Sequence, residues 1–172
     1  MFKKKHTATE KLTISALVIA LYVAIMFFTQ SFAFGQYQVR IATSLYALCA
    51  IHPFLIIPMG IANLISNTVM GGLGILDMLG GCCVGIVSGT LISLVKKHNL
   101  PNFCITLIII LVPGLGVASW LSYLLHIPYM VLAVSLLIGQ VIPGVVGAVL
   151  VTALERRAAG IVTWKENTHN AQ

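Results

Sequence analysis

Six polar side chains stand within or beside long apolar runs, where polar groups are unusual. A guanidinium offers a planar fork of donors, a carboxylate accepts two donors from one heterocycle edge, and side-chain amides do both. Ionisable groups beside hydrocarbon are costly, so they are candidates for function. Together they suit a flat, hydrogen-bonding molecule that stacks on Tyr37, Tyr46 or Trp120. The six candidate binding residues are Gln38, Arg40, Asn63, Asn67, Asp77 and Gln140.

Five of these residues also have a purely structural interpretation. Arg40 can extend to lipid headgroups and pair with Asp77. Asn63 and Asn67 lie one helical turn apart, so hydrogen bonds between helices explain them as well as ligand contact does, and Gln140 is similar. The binding hypothesis depends on Arg40 and Asp77 sharing one pocket.

The first apolar run carries a stripe of small residues. Ala16, Ala20 and Ala24 are spaced by four and therefore lie on nearly one face of a helix. In lipid, a smooth small stripe lets another helix approach closely. The stripe is either an interface with a partner protein or a packing face within the bundle.

Motifs for catalysis and metal binding are absent from the sequence. There is no phosphate-binding G-x-x-x-x-G-K-[ST] motif, no H-E-x-x-H motif and no C-x-x-C pair. We interpret the four cysteines as small apolar packing residues. No nucleophile–base pair and no ring-forming filter motif is visible, so we predict neither an enzyme nor a channel, and no metal or cofactor.

The composition determines which elements must position these residues. Of 172 residues, 59% are hydrophobic and only 8% are charged, and the mean hydropathy is +1.01. A soluble domain carries roughly 25% charged residues, so a water-soluble globule is excluded. We predict an all-α, polytopic membrane protein, with a basic N-terminus over residues 1–11, a membrane domain over 12–157 and a polar tail over 158–172.

Six transmembrane helices account for the apolar runs. Residues 41–76 are long for one helix, and proline disfavours a continuous helix, so Pro53 and Pro58 indicate two short or tilted helices there. We place the turn between them at residues 52–54. The other four predicted helices are 12–34, 78–95, 102–125 and 129–154, with kinks expected near Pro113 and Pro143.

The charges favour six helices with both termini in the cytoplasm. In that orientation nine of the ten Lys and Arg residues lie on the cytoplasmic side, as the positive-inside bias requires. A single helix over 41–76 would move Lys96, Lys97 and Arg156 outside. In the six-helix topology the outer side carries only Arg40 and Asp77 as charged residues.

Two motifs resemble those of a known family. The stretch Gly35-Gln36-Tyr37-Gln38-Val39-Arg40-Ile41 resembles the G-x-x-Q-[FV]-R-[IL] stretch of the QueT queuosine-precursor transporters, and Gly74-Ile75-Leu76-Asp77 resembles their second motif. Six spans and an alanine stripe are also similar to the substrate-binding S components of energy-coupling factor (ECF) transporters. The resemblance covers residues 12–95 best. One departure is Ala42-Thr43-Ser44, where family members commonly carry a Glu.

The resemblance implies a mechanism. An S component in a prokaryotic cytoplasmic membrane would capture a 7-deazaguanine from outside the cell. Its alanine stripe would dock on a membrane coupling subunit, and two ATPase subunits would power delivery inward. In that scheme Asp77 accepts from a ring NH or an aminomethyl group. Gln38, Asn63 and Asn67 read the amide edge, and Arg40 bonds the ring carbonyl or holds the loop.

Two alternatives remain open from the sequence. The missing Glu leaves room for an S component specific for another vitamin-like solute, such as riboflavin, folate or a thiamine precursor. A non-transport accessory membrane protein, in which Arg40 and Asp77 merely anchor an outer loop, is the second.

Overall fold

A computed structural model describes residues 6–34, 38–70 and 72–169, with side-chain surroundings as far as residue 157. These residues form helices and connections and contain no strand, as predicted. The α-helices are α1 (Ala8–Phe28), α2 (Gln30–Ala33), α3 (Ile56–Val69), α4 (Ile75–Lys97), α5 (Phe103–Leu125), α6 (Tyr129–Gly139) and α7 (Val141–His169). Two 3₁₀ segments, Ile41–Ala50 and Pro53–Leu55, lie between α2 and α3.

Four helices in the described ranges are long and apolar enough to cross a membrane. They are Ala8–Phe28, Ile75–Lys97, Phe103–Leu125 and the combined stretch Tyr129–Arg157. Because the hydrocarbon core is about 30 Å thick, each of them reaches across at about 1.5 Å per residue. The prediction of a multi-pass helical membrane protein is confirmed. The remaining apolar helices, Ile41–Ala50 and Pro53–Val69, are shorter.

The first helix begins four residues earlier than predicted. The Thr7 hydroxyl accepts from the Glu10 backbone N–H (3.2 Å), and the Glu10 carboxylate accepts from the Thr7 N–H (3.0 Å), which closes a capping box before Ala8. The helix ends at Phe28 rather than Phe34, and Thr29 separates it from the short α2. The basic N-terminal segment therefore contributes the first helical turn.

The predicted break within residues 41–76 is confirmed, but the helix before it is not an α-helix. Ile41–Ala50 is a 3₁₀ helix, and Pro53 opens the next short segment. At about 2.0 Å per residue a 3₁₀ helix spans about 20 Å with ten residues, whereas an α-helix spans about 15 Å. The tighter winding carries a short segment further through the bundle.

This long 3₁₀ segment forms the centre of the bundle. Eight of its ten residues are buried, and α1, α4 and α7 pack around it. Backbone outside an α-helix is tolerated at membrane depth only where protein surrounds it. Small side chains such as Ala42, Ala47 and Ala50 let the neighbouring helices surround it closely.

The last predicted helix, 129–154, is divided in two. Gln140 separates α6 from α7, three residues before Pro143. Pro143 then lies in the first turn of α7. Backbone N–H groups in the first turn have no acceptor within the helix, so proline, which lacks this N–H, costs no helical hydrogen bond there. The backbone of α7 continues as a helix to His169, into the predicted polar tail. In α5, Pro113 lies within one continuous helix.

The two ends of the bundle differ in charge. At one end Lys96 forms an ion pair with Glu155 (2.7 Å), and Asn102 donates to the same carboxylate. At this end the His6 and His52 rings meet edge to face, with centroids 5.3 Å apart. Burial, with a smaller effect of His6, lowers the pKa of His52 below its usual value. The opposite end carries Arg40 and Asp77, both buried.

Close contact between α3 and α4 depends on a glycine pair. A Cβ atom added to Gly85 would lie 3.1 Å from the Cα atom of Gly60. We predict that Gly85→Val lowers the melting temperature of the purified protein by about 3–10 °C, because overpacking costs roughly 1–3 kcal/mol. Val87→Ile, on the exposed face of α4, should leave the melting curve unchanged. Equal stability of Gly85→Val and wild type would contradict this packing.

Candidate functional site

Arg40 is the centre of a buried polar cluster. Its guanidinium NH1 group donates to the side-chain oxygens of Asn67 (3.2 Å) and Asn63 (3.5 Å) on α3. The guanidinium also lies over the Phe34 ring, 5.0 Å from its centroid. Arg40 is only 4% exposed, and its Nε has no hydrogen-bond partner among the described residues. A positive charge is therefore buried among neutral amides, and its Nε donor is unused among the described residues.

The cluster extends from Arg40 to α1. The Asn63 amide nitrogen donates to the hydroxyl of Tyr46, which lies in the long 3₁₀ segment. The Tyr46 hydroxyl is 3.5 Å from the hydroxyl of Tyr22 on α1, and the two rings are stacked. Both tyrosines are fully buried. Tyr22 thus connects the first helix to the cluster through hydrogen bonds.

Asp77 points away from Arg40 towards α5. Its carboxylate accepts from the indole nitrogen of Trp120 (2.9 Å) and from the backbone N–H of Leu73 (3.3 Å). Asn67 donates to the backbone carbonyl of Asp77 (3.0 Å) and so connects Arg40 with the start of α4. Among the described residues, no ion pair joins Arg40 to Asp77.

Two glycines at the start of α4 make room for these contacts. A Cβ atom at Gly81 would lie 2.6 Å from the Asn67 amide nitrogen, and one at Gly80 would lie 2.9 Å from the Trp120 ring. Larger residues would displace Asn67 and Trp120. Gly81 begins a repeat of glycines spaced by four, with Gly85 and Gly89, that sequence reasoning missed although the spacing is visible in the sequence.

Gln140 joins three segments at the break between α6 and α7. Its side-chain oxygen accepts from the Thr43 hydroxyl (2.9 Å), and its nitrogen donates to the backbone carbonyl of Gln38 (3.2 Å). Gln38 has a left-handed backbone conformation, with φ of 44°. The Thr43 hydroxyl also lies 2.7 Å from the Arg40 carbonyl. Gln140 therefore holds the connection before the 3₁₀ segment against α6 and α7.

These groups line a narrow cavity with one polar wall and one apolar wall. The space available to the centre of a water molecule is about 10 Å³, which is room for one water. A planar bicyclic molecule therefore enters only if the walls separate. The lining residues are Gln38, Arg40, Thr43, Tyr46, Asn63 and Gln140 on the polar wall, and Val84, Pro113, Val117 and Leu136 on the apolar wall.

The structure brings four of the six predicted residues to this cavity. Gln38, Arg40, Asn63 and Gln140 line it, whereas Asn67 and Asp77 lie beside it and do not. The six are thus connected, but Asp77 does not line the cavity that Arg40 lines, so a binding site in this cavity depends on Arg40 without Asp77. Sequence reasoning did not include Thr43 as a site residue; its backbone N–H donates to the Arg40 carbonyl (2.9 Å) at the start of the 3₁₀ helix. Of the stacking candidates Tyr46 lines the cavity, Trp120 binds Asp77, and Tyr37, with Gly35 and Gln36, is outside the described residues.

The alanine stripe lies on the outer surface of α1. Ala16, Ala20 and Ala24 are all exposed, whereas Tyr22 and Met26 on the other side of the helix are fully buried. The stripe therefore does not pack within the bundle.

Comparison with known proteins identifies the family. Residues 12–156 match the family described as QueT transporter, which is most of the chain. The chain belongs to the QueT transporter family. No curated protein and no solved structure matches it significantly. Membership in this transporter family agrees with the long apolar helices and with a multi-pass membrane location.

The contact between Asp77 and Trp120 can be tested through stability. Trp120→Phe keeps an aromatic ring and removes the N–H that Asp77 accepts. A buried carboxylate that loses a donor costs about 1–3 kcal/mol, so we expect the melting temperature to fall by about 2–10 °C. Tyr123→Phe removes a hydroxyl from the exposed face of the same helix and should have no effect. A Trp120→Phe melting curve that coincides with wild type would refute this contact.

Proposed function

We propose that this QueT family member is the substrate-binding S component of an ECF-type importer. It captures a queuosine precursor of the 7-deazaguanine class outside the cell and delivers it inward with energy from partner ATPases. The observation that carries the proposal is the buried Arg40, which lines a cavity with one polar and one apolar wall and whose Nε lacks a partner among the described residues. An unsatisfied buried donor is costly, and a ring carbonyl would satisfy it.

The cavity walls suit a flat heterocycle with one hydrogen-bonding edge. Arg40 would donate to the ring carbonyl, while the amides of Gln38, Asn63 and Gln140 would read the neighbouring donors and acceptors. The apolar wall, including Val117 and Leu136, would cover one face of the ring. Asn67 and Asp77 would support these contacts from behind by holding Arg40 and the start of α4. Binding requires the walls to separate first.

The orientation follows from the distribution of charge. Lys96, Lys97 and Arg156 belong to the end of the bundle that would face the cytoplasm, in line with the positive-inside bias. Arg40 and Asp77 would then lie towards the outer face. In this proposal the chain crosses six times, with the two short helical stretches between α2 and α4 as the second and third passes, and both termini are cytoplasmic.

The exposed alanine face of α1 would be the docking surface for a membrane coupling subunit, which in turn binds two ATPase subunits. The sequence contains no phosphate-binding loop of its own, so uphill transport would need this external source of energy. Close approach of a second helix requires small side chains at the contact. Ala16, Ala20 and Ala24 meet that requirement on a surface that the bundle leaves uncovered.

A titration of the purified protein tests the substrate. We expect 7-deazaguanines to bind, and Arg40→Gln to weaken binding by about 10–100-fold, because a hydrogen bond to a charged group contributes roughly 1.5–3 kcal/mol. Lys97→Gln makes the same chemical change at an exposed position and should bind normally. Riboflavin, folate and a thiamine precursor belong in the same titration. Binding of one of these in place of every deazaguanine would reject the proposed substrate.

A transport measurement tests the docking surface. Ala20→Leu should abolish uptake in cells and prevent co-purification of a coupling subunit, because a leucine holds the partner helix away. Ligand binding by the purified variant should be unchanged. Ala153→Leu, the same enlargement on the exposed face of α7, should transport normally. Full uptake by Ala20→Leu, with no coupling subunit recovered alongside wild type, would remove the main support for an ECF module.

A further inference from the structure

The cavity carries an unbalanced positive charge. Among its lining residues in the described part of the chain, Arg40 is charged and none is a carboxylate. The nearby acid, Asp77, directs one carboxylate oxygen to Trp120 and the other to the Leu73 N–H. We propose that this site selects its ligand by charge, and that it accepts a neutral 7-substituted deazaguanine while rejecting the analogue with a protonated aminomethyl group. The inference rests on the proposed function.

The hydrogen bonds of Arg40 do not offset its charge. They run to the neutral amides of Asn63 and Asn67, which satisfy donors but supply no opposite charge. The Thr43 hydroxyl has a single hydrogen and lies within reach of both the Gln140 side-chain oxygen (2.9 Å) and the Arg40 carbonyl (2.7 Å). A second cation entering this cavity would meet like charge, with no carboxylate among the described lining residues to offset it. Like charges in a desolvated site repel strongly, because the low dielectric weakens screening.

Thr43 is the position that sets this preference. It lies three residues after Arg40, at the start of the 3₁₀ helix, and both its backbone N–H (2.9 Å) and its hydroxyl (2.7 Å) lie within hydrogen-bond distance of the Arg40 carbonyl. Its hydroxyl lines the cavity and reaches Gln140. A carboxylate at this position would add a negative charge beside the guanidinium and would offer an anionic acceptor to an ammonium group. Because Thr43 is neutral, it does not offset the positive electrostatic potential that Arg40 produces in the cavity.

A matched pair of ligands tests the inference on the full-length protein. One is a 7-deazaguanine with a neutral nitrile at position 7, and the other carries an aminomethyl group, which is protonated at pH 7. Calorimetric titration of wild type should show at least about tenfold tighter binding of the nitrile. Thr43→Glu should tighten binding of the aminomethyl ligand by at least about tenfold. Thr43→Gln, of the same length without charge, should not.

The outcomes separate the inference from the function on which it rests. Equal or tighter binding of the aminomethyl ligand by wild type would overturn charge selection and leave the transporter proposal standing. If Asp77→Asn then abolished that binding, the carboxylate of Asp77 would be the acceptor. Binding of neither ligand would overturn both proposals. The wild-type comparison decides the question even if Thr43→Glu does not fold.

Discussion

Burying the charge of Arg40 is the constraint on which the rest of the structure depends. A guanidinium away from water is costly unless its donors are matched, and the described residues match its NH1 group with amide oxygens rather than a carboxylate, while its Nε has no partner among them. Asn63 and Asn67 provide those oxygens because α3 presents them one turn apart towards the 3₁₀ segment. Gly81 on α4 must in turn lack a side chain, because a Cβ atom there would collide with the Asn67 amide. The burial of Arg40 therefore restricts which residue types can occupy these positions on α3 and α4.

The polar cluster is also continuous across the bundle. Hydrogen bonds connect Tyr22 on α1 to Trp120 on α5 through a series of intermediate residues. Tyr22 is fully buried and lies on the side of α1 opposite the exposed alanines. Between these ends, each residue hydrogen-bonds to the next one in the series, and Arg40 lies in the middle. A movement of Arg40 would therefore also affect the hydrogen bonds that reach α1 and α5. The connected side chains, in order, are Tyr22, Tyr46, Asn63, Arg40, Asn67, Asp77 and Trp120.

Much of this arrangement follows from the sequence, and the exceptions have physical reasons. Long apolar runs predict the four long helices, and Pro53 marks the break after the 3₁₀ segment, because both depend on local properties of the chain. The spacing of Asn63 and Asn67 predicts their common face. The 3₁₀ winding of Ile41–Ala50 is not local, since it arises from enclosure by α1, α4 and α7. The direction of the Asp77 carboxylate likewise depends on Trp120, 43 residues away in the chain.

The hydrogen bonds at the cavity and beside it also differ in strength. Gln140 is held by two bonds between neutral groups, to Thr43 and to the Gln38 carbonyl. Asp77 is held by two bonds in which the acceptor is a carboxylate, and charged bonds are roughly twice as strong as neutral ones. Only the bond from Trp120 joins α5 to α4, because Leu73 lies in the connection just before α4. Two neutral bonds at Gln140 are therefore matched by one bond to a carboxylate at Asp77, and by this measure the two contacts are of similar strength.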